Sequence, residues 1–301
     1  MRLVTRSDFD GLVCGVLLEE IGVADSHLYC HPKDLQDGKI PIGKKDVLAN
    51  VPYVEGCGLW FDHHTSNITY APEKFEGAAY PAPSAARVVW DYYGGEAKFG
   101  RKFHRLMLDV DKVDSASLTK EDILNPSGWI ILGFIMDPRT GLGRYRHFNI
   151  SNYDLMQKMV RLIRTKNLDQ IFEDPDVYAR LAFYYEHVSD CISIIQENCS
   201  KMGNTVIFET RDIDEMPVGN RFLIYGLYPE CNVSLQIGWG KNKENVFLSV
   251  GKSILNRSNK VDIGSLLREY DGGGHENVGT CQVAPNDVEK TVEAIVSQLN
   301  Q

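Results

Sequence analysis

The residues best suited to chemistry crowd into two short stretches near the start of the chain. Ser7-Asp8-Phe9-Asp10-Gly11 sets two carboxylates at i and i+2, and Phe61-Asp62-His63-His64 sets a carboxylate beside two imidazoles. In extended chain Asp8 and Asp10 project to the same side. Carboxylates together with imidazoles form a ligand set that suits Mn²⁺ or Mg²⁺. Blander readings exist: Asp8 could cap a helix with Asp10 as its first-turn acid, and an Asp–His pair could be a buried hydrogen-bonded couple. Two such clusters so close together favour the metal. A third acidic group, Asp109-Val-Asp111-Lys-Val-Asp114, could be a solvated face, but Asp111 and Asp114 stand beside apolar Val110 and Val113, as expected where a helix end meets a site.

A second set of residues suits an anion. Gly272-Gly273-Gly274-His275 carries three consecutive glycines, whose entropic cost implies close backbone approach to something. With His275 they read as a cradle of N–H groups and an imidazole for a phosphate. Upstream, Lys252 in Ser249-Val-Gly251-Lys252-Ser253 reads as a phosphate clamp or a surface charge, and the rest of a P-loop is missing. Ser84 precedes a helical pattern that stops at Gly94. A helix start there is a natural phosphate seat, with a plain cap as the alternative.

The elements that must position these groups alternate in type. A strand over 1–5, a helix over 11–22 and apolar runs at 27–30, 46–51 and 58–61 argue for a mostly parallel sheet. In such sheets functional groups collect at the carboxyl ends of the strands. Residues 65–83 read as a polar loop and 99–108 as a helix. Residues 139–148, rich in Gly, Arg and aromatics, read as a border of the site. From 151 to about 200 the pattern is helical, and its last part reads as a connector between two domains. Beyond it, 205–209, 221–226, 231–239 and 245–250 read as strands, 262–270 as a helix and 286–299 as a closing helix.

At 301 residues the chain has room for two domains. The expected division is 1–190, a metal-binding domain; 191–203, the end of a helical linker; and 204–301, a substrate-binding domain. A net charge of −9 argues against a broad nucleic-acid surface and leaves room for a small phosphorylated ligand. The sequence contains no signal-peptide layout and no apolar run of membrane-spanning length. Seven scattered cysteines without a C-x-x-C pair suit reduced thiols, so a cytoplasmic location is expected.

Taken together, Ser7-Asp8-Phe9-Asp10-Gly11, Phe61-Asp62-His63-His64, the acids around Asp111 and the Gly272-Gly273-Gly274-His275 run resemble the DHH phosphoesterase superfamily with its DHH-associated C-terminal domain, in the nanoRNase and exopolyphosphatase-like branch. The resemblance implies an α/β architecture of two domains: an N-terminal mostly parallel sheet with flanking helices, a long connecting helix and a smaller C-terminal mixed-sheet domain, with the active site in the cleft between them. It implies one or two Mn²⁺ (or Mg²⁺) ions bound by Asp8, Asp10 and His63, with Asp111 as the late aspartate and Asp114 as its fallback. His64 would sit against the substrate phosphate, with Asp62 orienting the site. His275 and Gly272, Gly273 and Gly274 would hold the substrate from the other domain.

Two positions depart from that pattern. Arg6 stands where many relatives have a histidine, and Asn50 where a strand normally delivers a bridging aspartate. A guanidinium repels a metal ion, and Asn50 offers only a neutral oxygen. Arg6 would then act as an electrostatic clamp on phosphate, leaving one ion at Asp10, His63 and Asp111. The expected function is metal-dependent hydrolysis of a phosphoester in a small nucleotide, short oligonucleotide or polyphosphate-type substrate. The alternative is a weakened member that binds such a ligand without turnover. Long duplex nucleic acid and membrane are not expected partners, and a homodimer is allowed.

Overall fold

The computed structural model describes residues 1–300. The chain divides into two compact units, Met1–Ser117 with Pro126–Tyr184, and Leu118–Asn125 with Tyr185–Gln301. It begins with β1 (Arg2–Thr5), α1 (Phe9–Glu20), β2 (Ser26–Tyr29), α2 (Pro32–Gln36), β3 (Asp46–Ala49), β4 (Leu59–Asp62), α3 (Thr65–Thr69) and β5 (Gly77–Ala79). Helices follow: α4 (Ala85–Tyr92), α5 (Glu96–Phe99), α6 (His104–Asp114), α7 (Lys120–Leu124), α8 (Gly128–Met136), α9 (Asn152–Thr165), α10 (Leu168–Phe172) and α11 (Pro175–Glu197).

The first sheet has the order β2-β1-β3-β4-β5, with every neighbouring pair parallel. Its register puts Val4, Leu48 and Trp60 on one face, in a cluster with Leu35 and Val51. Leu3, Val47, Ala49 and Phe61 are buried on the other face, where Phe61 meets Tyr92 of α4 edge-on at 5.1 Å. Burial on both faces is why these strands read as short continuous apolar runs rather than alternating ones. The strand order reverses between β1 and β3, which is where a ligand crevice opens in a doubly wound sheet. Asp8 and Asp10 follow β1, Asn50 follows β3, Asp62 ends β4, and His63 and His64 come directly after it.

Several expected boundaries shift. The presumed loop 65–83 contains α3 and the edge strand β5, whose Gly-Ala-Ala composition hides it from hydrophobic patterning. The helix expected over 99–108 breaks at Gly100, at φ 78°, so α6 starts later and runs on to Asp114. The helical stretch 151–200 is three helices, opened in turn by capping boxes at Ser151 and Asn167 and by Pro175.

The second unit carries β6 (Cys199–Met202), β7 (Thr205–Glu209), α12 (Leu223–Leu227), β8 (Val233–Trp239), β9 (Val246–Lys252), α13 (Ile263–Arg268), β10 (Gly273–His275), β11 (Val278–Val283) and α14 (Val288–Leu299). Its sheet runs β10-β11-β9-β8-β7-β6, antiparallel except for the parallel β7–β8 pair. Val233, Leu235 and Ile237 of β8 and Val246, Leu248 and Val250 of β9 alternate inward, and meet Ile263, Leu266 and Leu267 of α13. Val288, Val292, Ile295, Val296 and Leu299 complete this core from α14 at helical spacing. The expected strand at 221–226 is instead α12, preceded by a turn in which the Asn220 side chain accepts from the Phe222 N–H.

Leu248 is fully buried in this core. Leu248→Ala should therefore cost about 2–5 kcal/mol of stability, measured by urea unfolding; a loss of under ~1 kcal/mol would show that the site collapses around the smaller side chain.

Candidate active site

The site begins at the turn from β1 into α1. A Cβ on Gly11 would lie 2.1 Å from the Arg6 carbonyl oxygen, so glycine is needed for the helix to start this close to the strand end. Asp8 is the N-cap: its Oδ1 accepts from the Gly11 N–H at 2.9 Å and from Asn50 Nδ2 at 2.9 Å. Its Oδ2 lies 3.1 Å from Arg6 Nε. Both oxygens of Asp8 are thus engaged by the chain's own groups, two of them Arg6 and Asn50.

Asp10 is only 1% exposed. Its two oxygens accept from the backbone N–H groups of Ala85 at 2.9 Å and Ala86 at 2.7 Å, at the start of α4. The next donor there, Arg87 N–H, goes to Ser84 Oγ. This corrects the reading of Ser84 as part of a phosphate seat. The first N–H groups of α4 are taken by Asp10 and by the cap, and Ser84 itself is fully buried.

His63 follows directly from β4. Its Nδ1 lies 3.0 Å from the Ala82 carbonyl oxygen, a bond in which the ring nitrogen donates. Nε2 is then left with its lone pair, as in a metal-ligating histidine. That atom is buried without a hydrogen-bond partner among the described residues, 3.1 Å from Asp114 Oδ2 and 3.8 Å from Asp10 Oδ2. Burial, and then the neighbouring His64, lower the His63 pKa and favour the neutral ring. Burial, then the charges of Asp114 and Asp8, push the Asp10 carboxyl well above its ordinary range.

Asp10, His63 and Asp114 offer donor atoms all within 4.8 Å of one another. A buried imidazole lone pair facing two crowded carboxylates lacks positive charge, and a divalent cation fits that deficit in donor type and spacing. Asp114, rather than Asp111, belongs to this trio. Asp111 Oδ1 accepts from Ser84 Oγ at 2.7 Å, and its Oδ2 accepts from Arg87 Nε at 2.9 Å and Nη2 at 2.5 Å.

Asp62 is fully buried and anchors the adjoining histidine. Its Oδ1 accepts from the His63 N–H at 2.8 Å, the His64 N–H at 3.2 Å and His64 Nδ1 at 2.8 Å, while Oδ2 accepts from Asn67 Nδ2 at 2.5 Å. Burial alone would lower the His64 pKa, but the hydrogen bond and charge of Asp62 outweigh it and the pKa is raised. Asp62, His63 and His64 also cluster within metal-binding spacing. The bonds already made to Asp62, and the commitment of His63 Nδ1 to Ala82, fit a positioning carboxylate better than a ligand.

Sequence reasoning passed over Asn67, Arg87 and Asp137, the last of which pairs with Arg139 at the start of the 139–148 stretch expected to border the site. Arg139 grips Asp137 with Nε and Nη2, each at 2.7 Å. Burial would lower the guanidinium pKa, but Asp137, followed by Asp8 and Asp114, raises it, so the pair lies in the field of the cluster. The available signal was a lone acid closing the apolar helix α8 ahead of Pro138.

In the second unit His275 is exposed on β10, and Lys252 Nζ lies 3.6 Å from Glu276 Oε1. Gly273, Gly274 and His275 form the edge strand β10, and Gly272 precedes it. A Cβ on Gly272 would lie 2.5 Å from Cys281 Cβ, and one on Gly274, at φ 155°, would lie 2.2 Å from the Val278 carbonyl oxygen. Gly272 and Gly274 thus serve close approach to the protein's own β11, whereas a Cβ on Gly273 would meet open space.

No family model matches the sequence, and no curated protein matches it by sequence. Solved structures do match. The pGpG-specific phosphodiesterase PggH from Vibrio cholerae is 44% identical, with a TM-score of 0.90 over 99% of this chain and 98% of that one. An exopolyphosphatase-related protein from Bacteroides fragilis shares the fold at 13% identity, with a TM-score of 0.51 over 99% of this chain and 92% of that one. RecJ from Thermus thermophilus, solved in complex with Mn²⁺, shares it at 12% identity, with a TM-score of 0.52 over 99% of this chain and 51% of that one. Taken with the Asp62-His63-His64 end of β4, the near-full-length identity to PggH establishes that the chain belongs to the DHH phosphoesterase superfamily and is a metal-dependent hydrolase of phosphoester bonds.

Proposed function

We propose that this phosphoesterase cleaves the phosphodiester of a short linear nucleotide, with pGpG the first substrate to test. The observation that carries this reading is the 44% identity to a pGpG-specific phosphodiesterase across nearly the whole of both chains. The net charge of −9 supports a small substrate over a polymeric one. No described helix is long and apolar enough to cross a membrane. Seven free thiols suit a reducing compartment, which supports a cytoplasmic enzyme.

Asp10, His63 and Asp114 would hold one Mn²⁺ or Mg²⁺ ion. The commitment of Asp8 to Arg6 and Asn50 supports one ion over two. A divalent ion there supplies positive charge to the phosphoryl oxygens and lowers the pKa of a water molecule. The chain's own groups do the rest. Asp62 fixes the His64 ring through Nδ1 and favours its charged form, so that His64 can give a proton to the departing oxygen. Arg6 and Arg139 add positive charge for the non-bridging oxygens. Lys252 and His275 are the second unit's candidates for holding phosphate.

Purified protein with Mn²⁺ should release GMP from pGpG, and EDTA should abolish the release. No mononucleotide from pGpG or other short oligonucleotides would overturn the proposal. Asp114→Asn should weaken Mn²⁺ binding by at least about tenfold, read by calorimetry, whereas Asp111→Asn should chiefly lower thermal stability by freeing Arg87. The reverse pattern would return the ligand role to Asp111. His64→Ala should lower kcat by about 10²–10⁴-fold at saturating Mn²⁺ with metal content retained; a fall in metal content would make His64 a ligand instead.

A further inference from the structure

The first unit carries a second pocket, on the β2 side of the sheet, and this one is positively charged. At the last residue of β2, the Tyr29 carbonyl accepts a hydrogen bond from the Tyr153 hydroxyl, in the first turn of α9. Here Tyr145, Arg146, Phe148, Asn152, Tyr153 and Arg180 line a cavity of about 350 Å³, within the roughly 300–1,000 Å³ span of small-molecule sites.

The charge in this pocket is not balanced by the protein. Arg180 is 1% exposed, yet its guanidinium meets only neutral acceptors. These are the carbonyl oxygens of Ile150 at 2.7 Å and Asp176 at 3.1 Å, and Asn152 Oδ1 at 3.4 Å. The Asp176 carboxylate is occupied elsewhere, 2.7 Å from Lys158 Nζ. Burial lowers the Arg180 pKa, opposed by Asp176. Arg146 is exposed on the loop and makes no ion pair among the described residues. In a chain with 41 acidic and 32 basic residues, two guanidiniums left without carboxylates at one cavity are unusual. Buried charge of this kind is costly unless a counter-charge completes it.

The remaining lining suits a nucleotide. Arg180 lies 4.4 Å from the centroid of the Phe148 ring. Tyr145 packs on Phe183 at 4.5 Å and His147 on Phe148 at 4.4 Å, giving an aromatic platform on which a base can stack. Asn152 and Tyr153 open α9, where a capping box already joins Ser151 Oγ to the Asp154 N–H and the Asp154 carboxylate to Ser151, so only the N–H groups of Asn152 and Tyr153 are left without an intrahelical acceptor.

The geometry points to this cavity as the seat of the substrate's non-reacting, phosphorylated end, with a terminal phosphate against Arg146 and Arg180 and its nucleoside against Tyr145 and Phe148. The inference rests on the short-nucleotide reading above and adds where the far end is held. A linear dinucleotide with a terminal phosphate carries one phosphate to be cleaved and one to be gripped, and a pocket that grips the second would select for it.

Calorimetric titration with GMP and with guanosine tests this in EDTA, where metal contributes nothing. Wild-type protein should bind GMP more tightly than guanosine. Arg146→Ala, a change at an exposed position, should weaken GMP binding by about tenfold, the worth of a charge-assisted contact to phosphate. It should also collapse any preference for pGpG over GpG in the hydrolysis assay. Equal GMP affinity in wild type and Arg146→Ala, an equal loss for guanosine, or no GMP binding at all would overturn the inference. A protein that binds GMP through Arg146 yet leaves pGpG uncleaved would overturn the hydrolytic reading alone.

Discussion

A carboxylate sunk into a protein interior needs positive partners, and Asp10 sets that requirement for the whole first unit. Its two oxygens take the N–H groups of Ala85 and Ala86, which ties the start of α1 to the start of α4 across the carboxyl edge of the sheet. Gly11 permits the short turn that delivers the side chain there. The two backbone bonds lower the Asp10 pKa, but burial and the nearby Asp114 and Asp8 still raise it. The missing charge is what a cation between Asp10, His63 and Asp114 supplies, so the same packing that buries the acid also prepares the metal site.

Around that acid the other charges divide into fixed partnerships. Asp8 serves as cap for α1 and partner for Arg6 and Asn50. Asp111 neutralises Arg87 and receives Ser84. Asp62 holds His64 and the backbone that follows β4. Each of these acids has a counter-group within hydrogen-bond reach. The trio of Asp10, His63 and Asp114 instead converges on one point with a buried lone pair that no donor meets. That contrast separates ligand from scaffold among residues of the same type.

Much of this arrangement can be read from the chain because the key groups sit next to apolar strands. Asp8, Asp10, Asp62, His63 and His64 each follow a short buried run, and strand ends are where an α/β sheet exposes its side chains. The choice between Asp111 and Asp114 is not legible in the same way. They stand three apart on one helix face, and only Arg87, delivered by another helix, decides which one turns away. Ser84 is recognisable as a cap, but the carboxylate that fills the helix start comes from 74 positions earlier in the chain. The glycines before His275 announce close packing without naming the partner. The 221–226 segment has strand-like composition, and the Asn220 turn makes it a helix.

The central claim concerns where the metal lies, and anomalous diffraction from a crystal soaked in Mn²⁺ tests it directly. The account predicts a single strong peak bounded by Asp10, His63 Nε2 and Asp114, with Asp8 still paired to Arg6. A peak at Asp111, or a second peak of equal height beside Asp8 with Arg6 displaced, would contradict it.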